Sequence, residues 1–382
     1  MKFKKYAALV LCIVLAAFAL VGCETEIGQY YKEVYQPNGV GVKVEKPVVK
    51  LDFYIVTEFP ENYEDPEVKA QHNSDLVTVK DNINLHLLDK YKTELNINFI
   101  AADEYDSVVK SATSGIVLIN SESLMNDLTD ANKLADLTNF LGSDEYEFGT
   151  LNVQIASTLL EAAKEIDEEG QEKLYCIPNN HIVGSYDYMA VNNDIAAKLQ
   201  YGKNDIAKIS TPEAAAEFAS VAAEKWDLIG IDSEFSPELV VRQFDAKSYG
   251  YESDDAPRSA WTYNVYNYPV VTKSEAYSTA YGILSGTENY ERAMEIIYAL
   301  NTDIQFRNLL QYGVLNNDYE FLNNGENGID SDATYVLMKN TLYKMNILYT
   351  GDVFNAYYNQ EFWTEDMALA GKMQNSESVL PD

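Results

Sequence analysis

Side chains that could bind a metal or act as nucleophiles are few in this sequence. The three histidines are His72, His86 and His181, and neither a His-Glu-x-x-His motif nor a Cys-x-x-Cys pair occurs. The Gly-x-Ser-x-Gly motif of serine hydrolases and the phosphate-binding P-loop are also missing from the sequence. We therefore predict neither a dedicated zinc site nor a cofactor.

One cysteine could act as a nucleophile. Cys176 precedes His181 by five residues, and this histidine could in principle serve as its base. The neighbours of Cys176 instead favour a buried thiol at a strand end, since they are Leu174, Tyr175, Ile177 and Pro178. Chance pairs are expected among the 60 acidic residues, so carboxylate pairs do not indicate a glycosidase. We predict that the protein is not an enzyme, although many glycosidases lack a short motif.

The N-terminal residues predict export and lipidation. Three lysines (Lys2, Lys4 and Lys5) precede the apolar stretch 6–21, which is typical of a secretory signal and short for a membrane-spanning helix. The sequence Leu20-Val21-Gly22-Cys23 resembles a bacterial lipobox, in which the cysteine is diacylated and becomes the mature N-terminus. The alternative is an ordinary cleaved signal. We predict a signal peptide over 1–22 and an anchor at Cys23, on the extracytoplasmic face of the cell membrane.

Composition excludes some partners and indicates a folded chain. The net charge of −32 becomes more negative when the lysines of the signal are removed, and it repels nucleic acid and anionic lipid headgroups. The 29 tyrosines are too many for a disordered chain. A length of 382 residues allows two domains, and Cys176 alone cannot form an internal disulfide once Cys23 is lipidated. Stability must then come from core burial.

The pattern beyond a polar segment is that of an α/β protein. Residues 23–46 lack a sustained period and predict a flexible tether. Strands are predicted over 48–56, 95–100 and 115–119, with a helix over 105–111 between the last two. An earlier helix, capped by Ser74 or Asp75, is predicted from the apolar stripe Leu76, Val79, Ile83, Leu87 and Leu88. This alternation predicts a parallel sheet. Later helices are expected over 211–226 and 289–300.

Three further stretches carry a resemblance to a known family. Residues 173–178 and 188–195 are similar to the family's K-L-Y-x-I-P … Y-x-x-x-N-x-D-I/L passage. Residues 283–313 are similar to its late helix and T-D … N-L-L-x-Y-G segment, and 349–352 with Gln374-Asn375 occur in a subset of it. Together with the lipobox, over most of residues 47–375, they resemble an extracellular solute-binding lipoprotein of a bacterial ABC importer, most like the carbohydrate-binding branch. The short span between Trp226 and Trp261 is a departure that implies a reduced second lobe.

The resemblance implies a two-lobed, periplasmic-binding-protein-like α/β fold with hinge crossings and a central inter-lobe cleft. Lobe one is expected over 47–178 and 270–316, and lobe two over 179–269 and 317–382. Such proteins usually act as monomers, and hinge closure over the ligand produces the state that an ABC permease recognises.

Candidate ligand-binding residues follow from this fold. Ligands bind beyond the carboxyl ends of strands in open α/β sheets, which selects Glu58, Ser121 and Glu122. The two crossings supply aromatic and polar side chains, namely Asn180, His181, Tyr186, Tyr188, Trp261, Tyr263 and Tyr266. Aromatic rings could cover the apolar face of a pyranose while amides and carboxylates meet its hydroxyls. The tyrosines could equally be half-buried strand residues.

The leading hypothesis is a lipid-anchored protein that captures a small sugar or oligosaccharide and delivers it to ABC permease subunits. A second hypothesis keeps this role with a peptide or another polar metabolite as ligand. A peptide site would hold an ion pair for the termini, with Arg242 and Arg258 as the basic candidates. A third hypothesis is an enzyme or a surface adhesin.

Overall fold

The architecture was derived from a computed structural model of the chain. It describes residues 31–35, 41–143, 146–167, 169–248, 250, 256–322, 333–340 and 342–381. The predicted signal peptide and Cys23 lie outside the described residues. Within the described ranges, no helix combines the length and the apolar character that crossing a membrane requires.

The chain divides into two compact units. Unit 1 comprises Met1–Leu118, Ile283–Glu320 and Met338–Asn346, and unit 2 comprises Ile119–Gly282, Phe321–Leu337 and Ile347–Asp382. The units differ from the predicted lobes chiefly over 119–178 and 270–282. Because a compact unit need not be a unit of motion, the lobe boundaries stay a prediction.

Unit 1 is built on parallel strands, as the sequence predicted. Its elements are β1 (Tyr31–Tyr35), β2 (Gly41–Glu45), β3 (Val49–Val56), α1 (Pro66–Tyr91), β4 (Thr93–Ile100), α2 (Ala102–Ser111) and β5 (Ile116–Ile119), which ends at the unit boundary. Strand β3 pairs in parallel with both β4 and β5. Its alternate residues Phe53 and Ile55 are fully buried. Strands β1 and β2 form an antiparallel hairpin inside the segment predicted as a tether.

The first long helix starts earlier than the sequence indicated. We expected Ser74 or Asp75 as its cap, but α1 begins at Pro66 and its N-cap is Asp65, so the prediction was wrong. The Asp65 carboxylate accepts a hydrogen bond from the Glu67 amide at 2.8 Å, and proline at the first helical position has its φ already fixed. The stripe itself is confirmed, since Val79, Ile83 and Leu87 are buried.

Unit 1 is completed by segments that are distant in sequence. They contain α11 (Tyr290–Thr302), α12 (Ile304–Tyr312) and β13 (Tyr319–Phe321), of which β13 reaches the unit boundary. Asp303 is the N-cap of α12, and its carboxylate also accepts hydrogen bonds from His86 at 2.8 Å and from Tyr91 at 2.9 Å. Lys90 lies 3.0 Å from the same carboxylate. One buried carboxylate therefore joins α1 to the start of α12.

Unit 2 combines short helices with antiparallel strands. Its helices are α3 (Glu122–Asp130), α4 (Leu151–Gln154), α5 (Ser157–Ala162), α6 (Asn193–Lys198), α7 (Lys203–Ile206), α8 (Pro212–Lys225), α9 (Pro237–Val240), α10 (Lys273–Tyr277) and α13 (Glu365–Glu377). Its strands are β6 (Lys164–Ile166), β7 (Glu172–Leu174), β8 (Cys176–Pro178), β9 (Tyr186–Asn192), β10 (Val241–Ala246) and β11 (Trp261–Asn267), followed by β12 (Ala280–Ile283) and β14 (Val336–Met338), which both reach the unit boundary. Helix α8 has the predicted Thr211 cap, accepting from the Ala214 amide at 3.2 Å.

A three-stranded antiparallel sheet with the order β10-β9-β11 is central to the site. One face carries Met189 and Val191, which pack against α6 and α8 in a core that includes Trp226. The opposite face carries Ala190 and Trp261 in a smaller cluster. A third cluster surrounds Trp363 and contains Ile182.

Candidate functional site

The face of this sheet opposite the helical core is rich in aromatic side chains, and we call it the aromatic face. In antiparallel pairing, residues directly opposite each other project to the same side. Tyr188 is opposite Phe244 on β10 and Val265 on β11, while Ala190 is opposite Tyr263. The rings form a continuous cluster, with centroids 5.5 Å apart for Tyr186–Tyr188 and Phe244–Tyr263 and 6.2 Å apart for Tyr188–Tyr263. Phe244 and Tyr263 remain half-buried.

A β-bulge decides which late tyrosine joins the aromatic face. The register of β11 shifts between Val265 and Asn267, so that Asn267 is opposite Asp187 on the helical side. Tyr266 projects to that side, where its hydroxyl accepts a hydrogen bond from Gln243. Tyr268 then returns to the aromatic face, with its ring centroid 6.3 Å from that of Tyr186. Tyr268 is 55% exposed, so its ring is available to a ligand.

Trp261 and Arg242 form the far end of the aromatic face. The Arg242 guanidinium lies 4.7 Å from the centroid of the Trp261 ring, and its Nε donates to the carbonyl of Glu238 at 2.9 Å. Trp261 is only 6% exposed. The cation–π contact and packing therefore account for much of its surface.

The hydroxyls of the buried tyrosines are held in their neutral form. Tyr186 donates to the Glu377 carboxylate at 2.6 Å. Burial, reinforced by this carboxylate, raises the pKa of Tyr186 well above its usual value. Burial also raises the pKa of Tyr188 to about 12, although the charge of Arg258 opposes it. Both hydroxyls are therefore neutral at physiological pH.

A cleft of about 670 Å³ in unit 2 opens beside Tyr268. We call it the acidic cleft, because Asp187 and Glu275 supply its charged side chains. Tyr266, Asn267 and the C-terminal segment 379–381 also line it. Its volume lies within the range of about 300–1,000 Å³ that is usual for small-molecule sites.

Residues 179–185, which were predicted as the first crossing, lie within unit 2 and are held by side chains from α13. Gln374 donates to the carbonyls of Val183 and Gly184 at 2.7 and 2.8 Å. Asn375 accepts from the Val183 amide at 3.0 Å and donates to the carbonyl of His181 at 2.7 Å. Buried backbone groups that lack sheet or helix partners are satisfied in this way. The Gln374-Asn375 pair noted in the sequence thus positions the strand that carries Tyr186.

Two predicted ligand residues in this crossing have structural partners. Asn180 accepts from the Ala156 amide at 3.2 Å and donates to the Gln154 carbonyl and the Asp352 carboxylate, each at 3.3 Å. His181 donates from Nδ1 to the Asn179 carbonyl at 2.8 Å. Burial lowers the pKa of His181 to about 4, so the ring is neutral at physiological pH. A role for either residue in ligand binding stays a prediction.

The residues chosen by the strand-end rule lie in different units. Glu58 is exposed in unit 1, and its amide donates to the carbonyl of Lys344 at 3.3 Å. Ser121 caps α3 in unit 2 by accepting from the Leu124 amide at 3.2 Å, and Glu122 is exposed in the first turn of that helix. Their contact with a ligand also stays a prediction.

The interpretation of Cys176 as a structural thiol is confirmed. The side chain is fully buried, and burial raises the pKa of the thiol far above its usual value. A protonated thiol without access to solvent is a poor nucleophile. Across the described ranges, no cluster of three or more histidine, cysteine or acidic side chains is arranged to hold a metal ion.

Sequence reasoning brought together four residues that share the aromatic face, namely Tyr186, Tyr188, Trp261 and Tyr263. It assigned Tyr266 to the same site, whereas the bulge turns this residue toward the helical side and the acidic cleft. Phe244, Asp187 and Glu275 were not predicted. Alternation along residues 241–246 could have indicated Phe244, but no local signal pairs Asp187 with Glu275, which are far apart in sequence.

The fold is that of a solute-binding protein. The N-glycan transport solute binding protein NgtS from Streptococcus pneumoniae, in complex with Man1GlcNAc, superposes with a TM-score of 0.51 at 16% identity, covering 87% of this chain and 84% of that chain. Its Man5GlcNAc complex gives a TM-score of 0.50 at 16% identity, covering 87% and 83%. A third structure of NgtS gives 0.51 at 15% identity, covering 88% and 84%. No protein-family model and no curated protein matches the chain. The predicted α/β class and solute-binding-protein fold are thus confirmed.

Proposed function

We propose that this protein is a lipid-anchored substrate-binding protein of an ABC importer that captures a small sugar or oligosaccharide. The aromatic face carries the proposal, because the exposed ring of Tyr268 and the half-buried rings of Phe244 and Tyr263 could cover the apolar face of a pyranose. The fold shared with NgtS, whose structures contain Man1GlcNAc and Man5GlcNAc, supports the same ligand class. The protein binds its ligand without transforming it.

A peptide ligand is less well supported by the same residues. Arg242 was a basic candidate for binding a peptide carboxylate, but its guanidinium lies over Trp261 and donates to the Glu238 carbonyl. Arg258 acts electrostatically on Tyr188. The Arg242 guanidinium is therefore already engaged within the protein, which weakens the case for a peptide carboxylate there.

Thermal unfolding against a panel of sugars, oligosaccharides, peptides and amino acids tests the proposal. A ligand present at 100 times its Kd stabilises the folded state by about 2.7 kcal/mol, so we expect a raised Tm with carbohydrates only. The sugar must also be recovered unchanged after long incubation. A shift with peptides alone, or a product formed from the sugar, would contradict the proposal.

Variants locate the binding surface. Tyr268→Ala removes an exposed ring of the aromatic face, and we expect affinity for the sugar to fall about tenfold, the loss of about 1.4 kcal/mol. Phe362→Ala is the matched control, because Phe362 is 40% exposed elsewhere in unit 2. Equal affinity of both variants for the sugar, measured by calorimetry, would show that the ligand does not use Tyr268.

A further inference from the structure

The acidic cleft differs in charge from the aromatic face beside it. Its ionisable lining residues are the acids Asp187 and Glu275 and the tyrosines Tyr266 and Tyr268. Among the described residues that line it, none is a lysine, an arginine or a histidine. The cleft therefore presents negative charge to whatever enters it.

Glu275 is a half-buried carboxylate that is only partly compensated. One of its oxygens accepts a hydrogen bond from the Gly184 amide at 2.7 Å. Burial raises the pKa of Glu275, opposed by this hydrogen bond and by the charge of Lys247. The Lys247 ammonium itself donates to the carbonyls of Ile182 and Gly184, both at 3.1 Å. A cation that entered the cleft would offset the remaining cost of keeping this carboxylate charged.

Asp187 provides the second charge, near the start of β9. Its Oδ2 accepts a hydrogen bond from the side-chain Nδ2 of Asn267 at 2.7 Å, which fixes the carboxylate at the edge of the cleft. The bulge in β11 produces this contact, because it places Asn267 opposite Asp187. The same bulge brings Tyr266 to the cleft wall, so one irregularity shapes both its charge and its aromatic lining.

The tyrosines give the cleft aromatic ring surfaces next to its carboxylates. Tyr268 is 55% exposed and lines the cleft while its ring contacts Tyr186 of the aromatic face. Aromatic faces attract ammonium groups, and carboxylates beside them strengthen this attraction. A ligand stacked on Tyr268 can thus place a substituent beside the carboxylates.

We propose that the acidic cleft holds a protonated amino group of the ligand, so that the preferred ligand is an amino sugar or oligosaccharide with a free amine. This inference rests on the proposed carbohydrate function and adds that the ligand carries a positive charge. The neutral N-acetylated form of the same sugar would lose the contacts with Asp187 and Glu275.

Two tetrasaccharides of equal length test the inference by calorimetry at pH 6. One is the β-1,4-linked glucosamine tetramer and the other is its fully N-acetylated form. We expect the free amine form to bind at least tenfold more tightly. Equal affinities, or tighter binding of the acetylated form, would overturn the inference and leave the carbohydrate function standing.

Variants distinguish binding by the carboxylates of the acidic cleft from long-range attraction by the net negative charge of the protein. Glu275→Gln and Asp187→Asn keep a hydrogen-bond acceptor for Gly184 and Asn267 but remove the charge. We expect each to lower the affinity ratio of the two tetramers at least fivefold. Glu234→Gln removes an exposed charge elsewhere in unit 2 and should leave the ratio unchanged. An equal fall of the ratio in all three variants would overturn the inference, because long-range attraction would then explain the preference.

A simple amine separates failure of the inference from failure of the proposed function. If neither tetramer nor any other sugar binds but propylamine raises the Tm, and Glu275→Gln abolishes that shift, the cleft is a cation site and the carbohydrate function is wrong. If neither tetramer nor propylamine binds, while another neutral sugar does, only the amine inference is overturned. Binding of none of these compounds would overturn both.

Discussion

At the scale of single residues, a buried carboxylate outside the proposed site has several polar and charged partners. The Asp303 side chain is 3% exposed and is shared by His86, Lys90 and Tyr91. Burial alone would raise the pKa of the Asp303 carboxyl, but the hydrogen bond and charge of His86, with other donors, hold it well below its usual value. The carboxylate therefore stabilises the folded state whenever it is ionised.

Asp303→Asn should lower the free energy of unfolding at pH 7 by about 3 kcal/mol, because it removes the buried negative charge that faces Lys90 and accepts hydrogen bonds from His86 and Tyr91. Asparagine still caps α12, so the loss reports charge rather than capping. Since the folded-state pKa is depressed, the stabilisation is present above about pH 4 and is lost as the pH falls further. The variant should lack this dependence.

Urea unfolding at several pH values measures the effect of Asp303→Asn. Asp194→Asn is the control, since Asp194 pairs with Lys198 at 3.3 Å while 73% of its side chain is exposed, and no measurable change is expected. A loss for Asp303→Asn no larger than that of the control would show that the buried network contributes little.

Tyr186, Tyr188 and Tyr263 could be selected from sequence because aromatic residues recur at alternate positions in the two predicted crossings. The different orientations of Tyr266 and Tyr268 could not be predicted from sequence, because they depend on a β-bulge that no turn-forming residue indicates. The presence of Asp187 and Glu275 in one cleft depends on the tertiary fold and has no signature in the sequence.

At the scale of elements, the N-terminus of α1 has a capping sequence that identifies where the helix begins. Asp65-Pro66-Glu67 has the same form as Thr211-Pro212-Glu213, which correctly predicted α8. The first turns of α1 are mostly exposed, so the apolar stripe that guided the prediction begins later than the helix. A capping signal should therefore take precedence over the first apolar residue.

Two alanine variants distinguish the caps. Asp65→Ala should destabilise the protein by about 1 kcal/mol, because the Glu67 and Val68 amides lose their acceptor. Ser74→Ala should be neutral or slightly stabilising, because Ser74 lies inside α1 and alanine favours helix. Denaturant unfolding compares them, and a larger loss for Ser74→Ala would restore the cap that we predicted from sequence.

At the scale of the whole molecule, the order of strands and helices in the first third could be predicted, and the parallel pairing of β3, β4 and β5 followed from it. The assembly of unit 1 from three separated segments could not, since contacts such as that between His86 and Asp303 have no local signal. The two-lobed fold was predicted from the resemblance of 173–178, 188–195 and 283–313 to solute-binding lipoproteins, because local periodicity does not report contacts between distant segments.

The proposed anchor makes a prediction about the location of the protein in its cell. Cys23→Ala should move the protein from the membrane fraction to the soluble or secreted fraction, because the thiol that carries the lipid is removed. Cys12→Ala is the control, since Cys12 lies in the predicted signal and should not alter fractionation. Immunoblotting of the fractions measures both, and retention of Cys23→Ala in the membrane would contradict lipid anchoring.

The distribution of tryptophan has a spectroscopic consequence. Trp226, Trp261 and Trp363 are the only tryptophans of the chain, and all three belong to unit 2. Intrinsic tryptophan emission excited at long wavelength therefore records the melting of unit 2 alone, whereas far-ultraviolet circular dichroism records both units. Divergence between the two curves would measure directly how cooperatively the two units unfold.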